Sequence, residues 1–155
     1  MEEMSYRPPE AIKPTEQGEI IIPTTLYHGS RYKLEELDAM QAQSEAEEGV
    51  PEGELLRGIY LTPDYEVALA MGARPDGVTR MEEKDGKRTI NFESPDAFDP
   101  DREVYVYRVK TERVPRKNIT KVDDSQFVIT GMDSVKPDSV EVKKAGDIFE
   151  YYEQV

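Results

Sequence analysis

Cysteine and tryptophan are both absent from this chain of 155 residues, and histidine occurs once. Without cysteine there is no disulfide framework and no thiol nucleophile. A single histidine leaves only carboxylates to hold a metal, and no metal cluster is visible. No stretch approaches the roughly 20 apolar residues of a membrane span. The first residues, Met1-Glu2-Glu3-Met4, are acidic and carry no apolar signal core. These absences predict a cytoplasmic protein with no membrane partner. Basic charge is scarce too: 20 Lys and Arg stand against 33 Asp and Glu, a net charge of −13. Nonspecific binding to phosphate backbones runs on Lys and Arg, so no bulk nucleic-acid binding is expected. An enzyme acting on a nucleic-acid base through one local basic groove stays compatible with this balance. No phosphate-cradling Gly-rich loop is present.

The length suits one domain. Residues 1–18 hold three prolines and many charges and read as a flexible N-terminal arm. Residues 19–155 read as a single domain. Gly18 to Leu26 looks like strand broken at Pro23, and Tyr27 to Ser30 like a turn. Tyr32 to Asp38 fits a short helical turn or loop. Residues 39–57 lack an apolar period and read as a mobile loop. Gly58-Ile59-Tyr60-Leu61 has the look of a short buried strand. Thr62-Pro63-Asp64 is a helix start, with a hydroxyl at the cap and proline at the first helical position. Val67, Ala68 and Met71 then share a helical face, and Gly72 ends the helix.

Asp85-Gly86 between two polar arms predicts a tight hairpin. Its register sets Glu83 opposite Arg88 and Met81 opposite Ile90. Ser94 to Arg102 reads as loop. Strands are expected over Glu103–Val109, Phe127–Thr130, Ser139–Val142 and Ile148–Tyr152. The class is α+β, dominated by short strands.

Three strings carry the functional signal: Tyr27-His28-Gly29-Ser30, Gly58-Ile59-Tyr60, and Gln126-Phe127-Val128-Ile129 leading to Val135 and Pro137. In this order they resemble the motifs of the His-Tyr-Glu class of ADP-ribosyltransferases, the class of poly(ADP-ribose) polymerases, diphtheria-type toxins and rifampin ADP-ribosyltransferases. The resemblance covers roughly residues 24–142, carried by about a dozen positions. It implies a fold of two small, curved, antiparallel sheets with one or two helices around a central cleft. It also implies that the chain is a mono-ADP-ribosyltransferase, with NAD as its cofactor-like substrate.

Such an enzyme breaks the nicotinamide–ribose bond while positive charge builds on the ribose. The ring must be held still, the ribose oriented and the charge stabilised. By the resemblance, His28 bonds the adenosine ribose and Gly29 offers backbone groups to the nicotinamide amide. Tyr60 stacks on the nicotinamide ring. Ser30 and Thr62 belong to the same binding set. Gln126 stands where the family has Glu at the reacting ribose. An amide accepts a hydrogen bond there but supplies neither charge nor base. Asp124 offers a partly compensating acid, and Glu93, Glu103 and Glu112 are alternative acids. Ala68 and Met71 fall where polymerase-type members carry a small hydroxyl residue and a second aromatic.

The plainer readings are a turn histidine at 28, a local turn bond at Ser30, a core tyrosine at 60 and an ordinary strand residue at 126. Two further readings of the whole stay open. The same fold is catalytically silent and binds NAD, ADP-ribose or a protein. Or the chain is a phage or mobile-element accessory protein whose acidic surface engages a host protein. The RNA 2′-phosphotransferases share this fold but use several basic residues, and only scattered candidates such as Arg31 and Arg57 occur here. The acceptor is a protein side chain, a nucleic-acid base, a small molecule or water.

Overall fold

The computed structural model describes residues 21–39 and 58–155. The expected arm at 1–18, Arg57 and nearly all of the expected loop at 39–57 lie outside the described residues. The described chain is α+β, mostly short strands in small antiparallel sheets.

At its centre lies β6 (Glu103–Lys110), flanked by β1 (Thr25–Ser30) and β10 (Ser139–Lys144). Both neighbours pair antiparallel, with His28 opposite Tyr107 and Val142 opposite Tyr105. Strand β6 alternates its side chains between two cores. Tyr107 and Val109 enter one core with Leu26, and Val104 and Val106 enter the other. Burial on both faces explains a Val/Tyr-rich strand with no polar side in its middle.

The first core is closed by a second sheet of β3 (Ile59–Leu61), β8 (Gln126–Ile129) and β7 (Ile119–Asp123). Ile59, Leu61, Phe127 and Ile129 fill it. A short pair, β2 (Leu37–Asp38) with β9 (Ser134–Val135), covers its edge. The second core holds α1 (Tyr65–Ala73) against β5 (Lys87–Phe92) and the 3-10 turn Ala145–Glu150. Leu69, Ile90 and Ile148 are fully buried there. Each contributes about 1.5–3 kcal/mol. Strand β4 (Thr79–Lys84) pairs with β5, and β11 (Glu153–Gln154) lies parallel to β5 on its other side. Among the described residues the strands form three three-stranded sheets and one pair, where the resemblance implies two sheets.

Four local expectations change. Tyr27–Ser30 is strand, because pairing with β6 overrides weak local propensity. Asp38 and Leu37 are likewise strand, held by the partner Ser134–Val135. The helix cap is Asp64, not Thr62: its carboxylate accepts the N–H of Glu66 and of Val67. Thr62 instead accepts the N–H of Asp64 through Oγ1 at 3.1 Å. The expected strand at Ile148–Tyr152 is a 3-10 turn, since Ala145, Ile148 and Tyr152 recur at spacings of three and four and bury one face. The hairpin register is as expected, Glu83 opposite Arg88 and Met81 opposite Ile90. Positive φ at Asp85 (55°) and Gly86 (78°) gives the turn its primed form.

Candidate functional site

A cleft of about 260 Å³ opens between β1, β3, the start of β8 and the length of α1. One backbone bridge fixes its floor. The N–H of Tyr27 donates to the carbonyl of Thr62 at 2.7 Å, and the N–H of Thr62 donates back at 2.9 Å. Tyr27 therefore turns its backbone polar groups away from β6. Backbone orientation repeats every second residue, so Gly29 turns its N–H and C=O to the same side, where it lines the cleft.

Gly29 also has a packing reason to lack a side chain. A Cβ there would lie 1.7 Å from the Ala68 carbonyl oxygen. One at Gly72 would lie 2.8 Å from the backbone nitrogen of Ser30. The two glycines let α1 press onto β1, and this contact sets the width of the cleft. Gly72 is thus a packing residue in the last turn of α1, one residue before its end.

His28 is buried, and its Nδ1 lies 3.0 Å from the carbonyl oxygen of Tyr60. A carbonyl only accepts, so Nδ1 donates in this bond and Nε2 is the ring nitrogen left for a ligand. The bond ties the first motif to the second across 32 residues of chain. Tyr60, 9 % exposed, packs on Val128 and Val122 and still reaches the cleft. Gln126 begins β8, beside an irregularity in the β7–β8 register. Bulges of this kind re-aim the side chains next to them, and Gln126 and Ser125 line the cleft.

His28, Gly29, Tyr60, Thr62 and Gln126 thus converge on one cavity. Ser30 does not join them. It is 2 % exposed, and its Oγ accepts the N–H of Tyr32 at 3.0 Å, a local turn bond. Thr62 reaches the cleft, but its hydroxyl oxygen already accepts the Asp64 N–H.

From the helix, Val67 and Met71 stand four apart and face the cleft together, and Arg74, the extended residue that follows the helix, lines it too. Ala68 is instead buried under Gly29. Met71 stands at the position expected for a second stacking aromatic, and Met81 joins it. A thioether still makes favourable contact with an aromatic ring. Among the described residues the cleft wall contains no carboxylate. Asp124 is fully exposed and pairs with Lys121 at 3.0 Å. Glu93 accepts the N–H of Val78, Glu103 accepts the hydroxyl of Tyr105, and Glu112 is exposed. None of these acids reaches Gln126.

A wider groove adjoins the cleft, sharing Val67 and Ser125. Arg88 sits in it and bonds Asp64, Glu66 and Glu83. The Arg88 guanidinium is the main reason the Asp64 carboxyl is held below the ordinary 3.8. The same carboxylate raises Arg88 above the usual guanidinium range. Buried Tyr107 accepts the N–H of Leu34 and donates to the carbonyl of Tyr32. Burial pushes its hydroxyl up. It thereby pins the loop that carries Arg31.

Comparison with known protein families, curated proteins and solved structures returned no match. Tyr27, Leu61, Val67, Arg74, Met81 and Ser125 line the cleft without being marked as site residues by the sequence. The helical face that Val67 shares with Met71 is the signal for one of them. Among the described residues no group of three or more metal-ligating side chains is assembled, and no helix is long and apolar enough to cross a membrane.

Proposed function

We propose that this protein binds NAD in the cleft, cleaves the nicotinamide–ribose bond and transfers ADP-ribose to an acceptor. The observation that carries this reading is convergence. His28, Gly29, Tyr60 and Gln126, from three separate strands, line one cavity. Its character suits a flat, uncharged ring bearing an amide. Tyr60, Met71 and Met81 supply apolar surface, and the Gly29 backbone edge supplies a donor and an acceptor. His28 Nε2 is an acceptor for a ribose hydroxyl.

In the reaction the nicotinamide leaves with the electron pair of its bond to the ribose. The acceptor nucleophile adds to the ribose carbon and loses its proton to solvent. Gln126 orients the reacting ribose through its carbonyl but removes no proton. The reading is therefore of single transfer and not of chain growth.

A second reading is favoured by one specific observation, the amide at 126 in a cleft wall that holds no carboxylate among the described residues. It is a silent module that holds NAD or ADP-ribose without turnover. NMR of NAD incubated with the protein separates the two. The enzyme releases free nicotinamide, and a Tyr60→Ala variant does not. The module perturbs the NAD signals without release. Unperturbed NAD overturns both.

A further inference from the structure

The cleft carries a cation that nothing in the described structure neutralises. Arg74 is half-buried on its wall, and its guanidinium has no ion pair or hydrogen bond among the described residues. In a chain of net charge −13 an arginine on a cavity wall has many acids to choose from, yet this one stays open.

Its surroundings deepen the contrast. The C-terminal carbonyls of a helix form a negative end. Here two other arginines cover them. Arg102 donates through one nitrogen to the carbonyls of Ala73 at 2.9 Å and Arg74 at 3.1 Å. Arg31 donates to the same Arg74 carbonyl at 3.0 Å. The other terminal nitrogen of Arg102 is buried with no partner. Burial, and then the charge of Arg31, pull Arg102 below its ordinary range. The described acid paired in this cluster is Asp76, on Arg31 at 3.1 Å, with its side chain 90 % exposed. Two guanidinium groups thus cover the negative end of the helix, with Asp99 and Asp76 the acids that act on Arg102, and the Arg74 side chain on the cleft wall is left out of these bonds.

We propose that Arg74 is the anion-recognition residue of the cleft and that it takes a diphosphate, the linking group of a dinucleotide. The identity of the ligand rests on the NAD reading, whereas the anion site does not. The geometry suits it. Val67 and Ser125 both line the cleft and the adjoining groove, at the Gln126 end, while Arg74 lies seven residues further on, just past the last residue of α1. At 1.5 Å per residue the two ends are about 10 Å apart. One end then meets the uncharged ring and the reacting ribose, and the other meets the phosphates. A guanidinium binds phosphate oxygens two at a time, which an ammonium does not.

Calorimetric titration of wild type, Arg74→Gln and Arg74→Lys tests this with nicotinamide, ADP-ribose and inorganic pyrophosphate. Arg74→Gln is expected to weaken ADP-ribose and pyrophosphate at least tenfold and to leave nicotinamide within twofold. Arg74→Lys regains part of the loss. The thermal midpoint of Arg74→Gln stays close to wild type, because the side chain holds no described partner. Undiminished binding of ADP-ribose and pyrophosphate by Arg74→Gln overturns the proposal. So does an equal loss for all three ligands. Pyrophosphate binding that Arg74→Gln abolishes, in a wild type indifferent to nicotinamide, supports the anion site and overturns the NAD reading alone.

Discussion

At the level of single residues, His28 and Gln126 carry opposite messages. His28 joins two motifs through the Tyr60 carbonyl, so its first task is structural. Replacing it with Ala leaves a buried carbonyl without a donor, which costs about 1–3 kcal/mol. Chemical denaturation of His28→Ala checks this, and His28→Asn, with a shorter donor, is expected to recover part of the loss. Gln126 is the residue that most limits chemistry. A carboxylate there would stabilise positive charge developing on the ribose. Gln126→Glu is therefore expected to raise nicotinamide release at least tenfold, measured by NMR under identical NAD. A slower or unchanged variant argues that residue 126 does not face the reacting ribose.

The elements show why the site forms, and how far the sequence announced it. Gly29 and Gly72 allow α1 to rest on β1. Gly29→Ala forces the Ala68 carbonyl away, and overpacking of this kind costs about 1–3 kcal/mol. A lower thermal midpoint with weaker nicotinamide binding is the expected pair of results. The cap of α1 adds a pH dependence. Arg88 and two backbone N–H groups hold the Asp64 carboxyl below its ordinary 3.8. A depressed carboxyl stabilises the fold at pH above the unfolded value and loses that contribution as pH falls through the folded one. Acid unfolding below about pH 4 is therefore expected to be shallower in Asp64→Asn, which also loses stability at neutral pH. Equal acid slopes in the two proteins would contradict the assignment. The hairpin was legible because Asp85-Gly86 specifies its own turn and hence its register. Gly58 to Leu61 was legible as a continuous apolar run. Strand β1 was not, because its pattern of Leu26, His28 and Ser30 against Tyr27 and Gly29 makes sense only with β6 on one edge and α1 on one face. The last 3-10 turn was not legible because Ile148, Phe149, Tyr151 and Tyr152 favour strand, whereas Ala145, Ile148 and Tyr152 bury at spacings of three and four.

At the scale of the whole molecule, two cores on either side of one central strand hold the cleft between them. The order of the three motifs along the chain was visible in the sequence, and so were His28, Gly29, Tyr60, Thr62 and Gln126 among the residues that meet. The cation was not, since Arg74 comes to the wall only where α1 stops. The account stands or falls on whether this cleft takes the nicotinamide end of NAD. The most direct measurement is a titration of isotopically labelled protein with NAD, followed through the backbone amides. The amides of His28, Gly29, Tyr60 and Gln126 are predicted to shift together and to saturate at one concentration. Shifts that leave these four untouched while others move, or no shifts at all, would contradict the account.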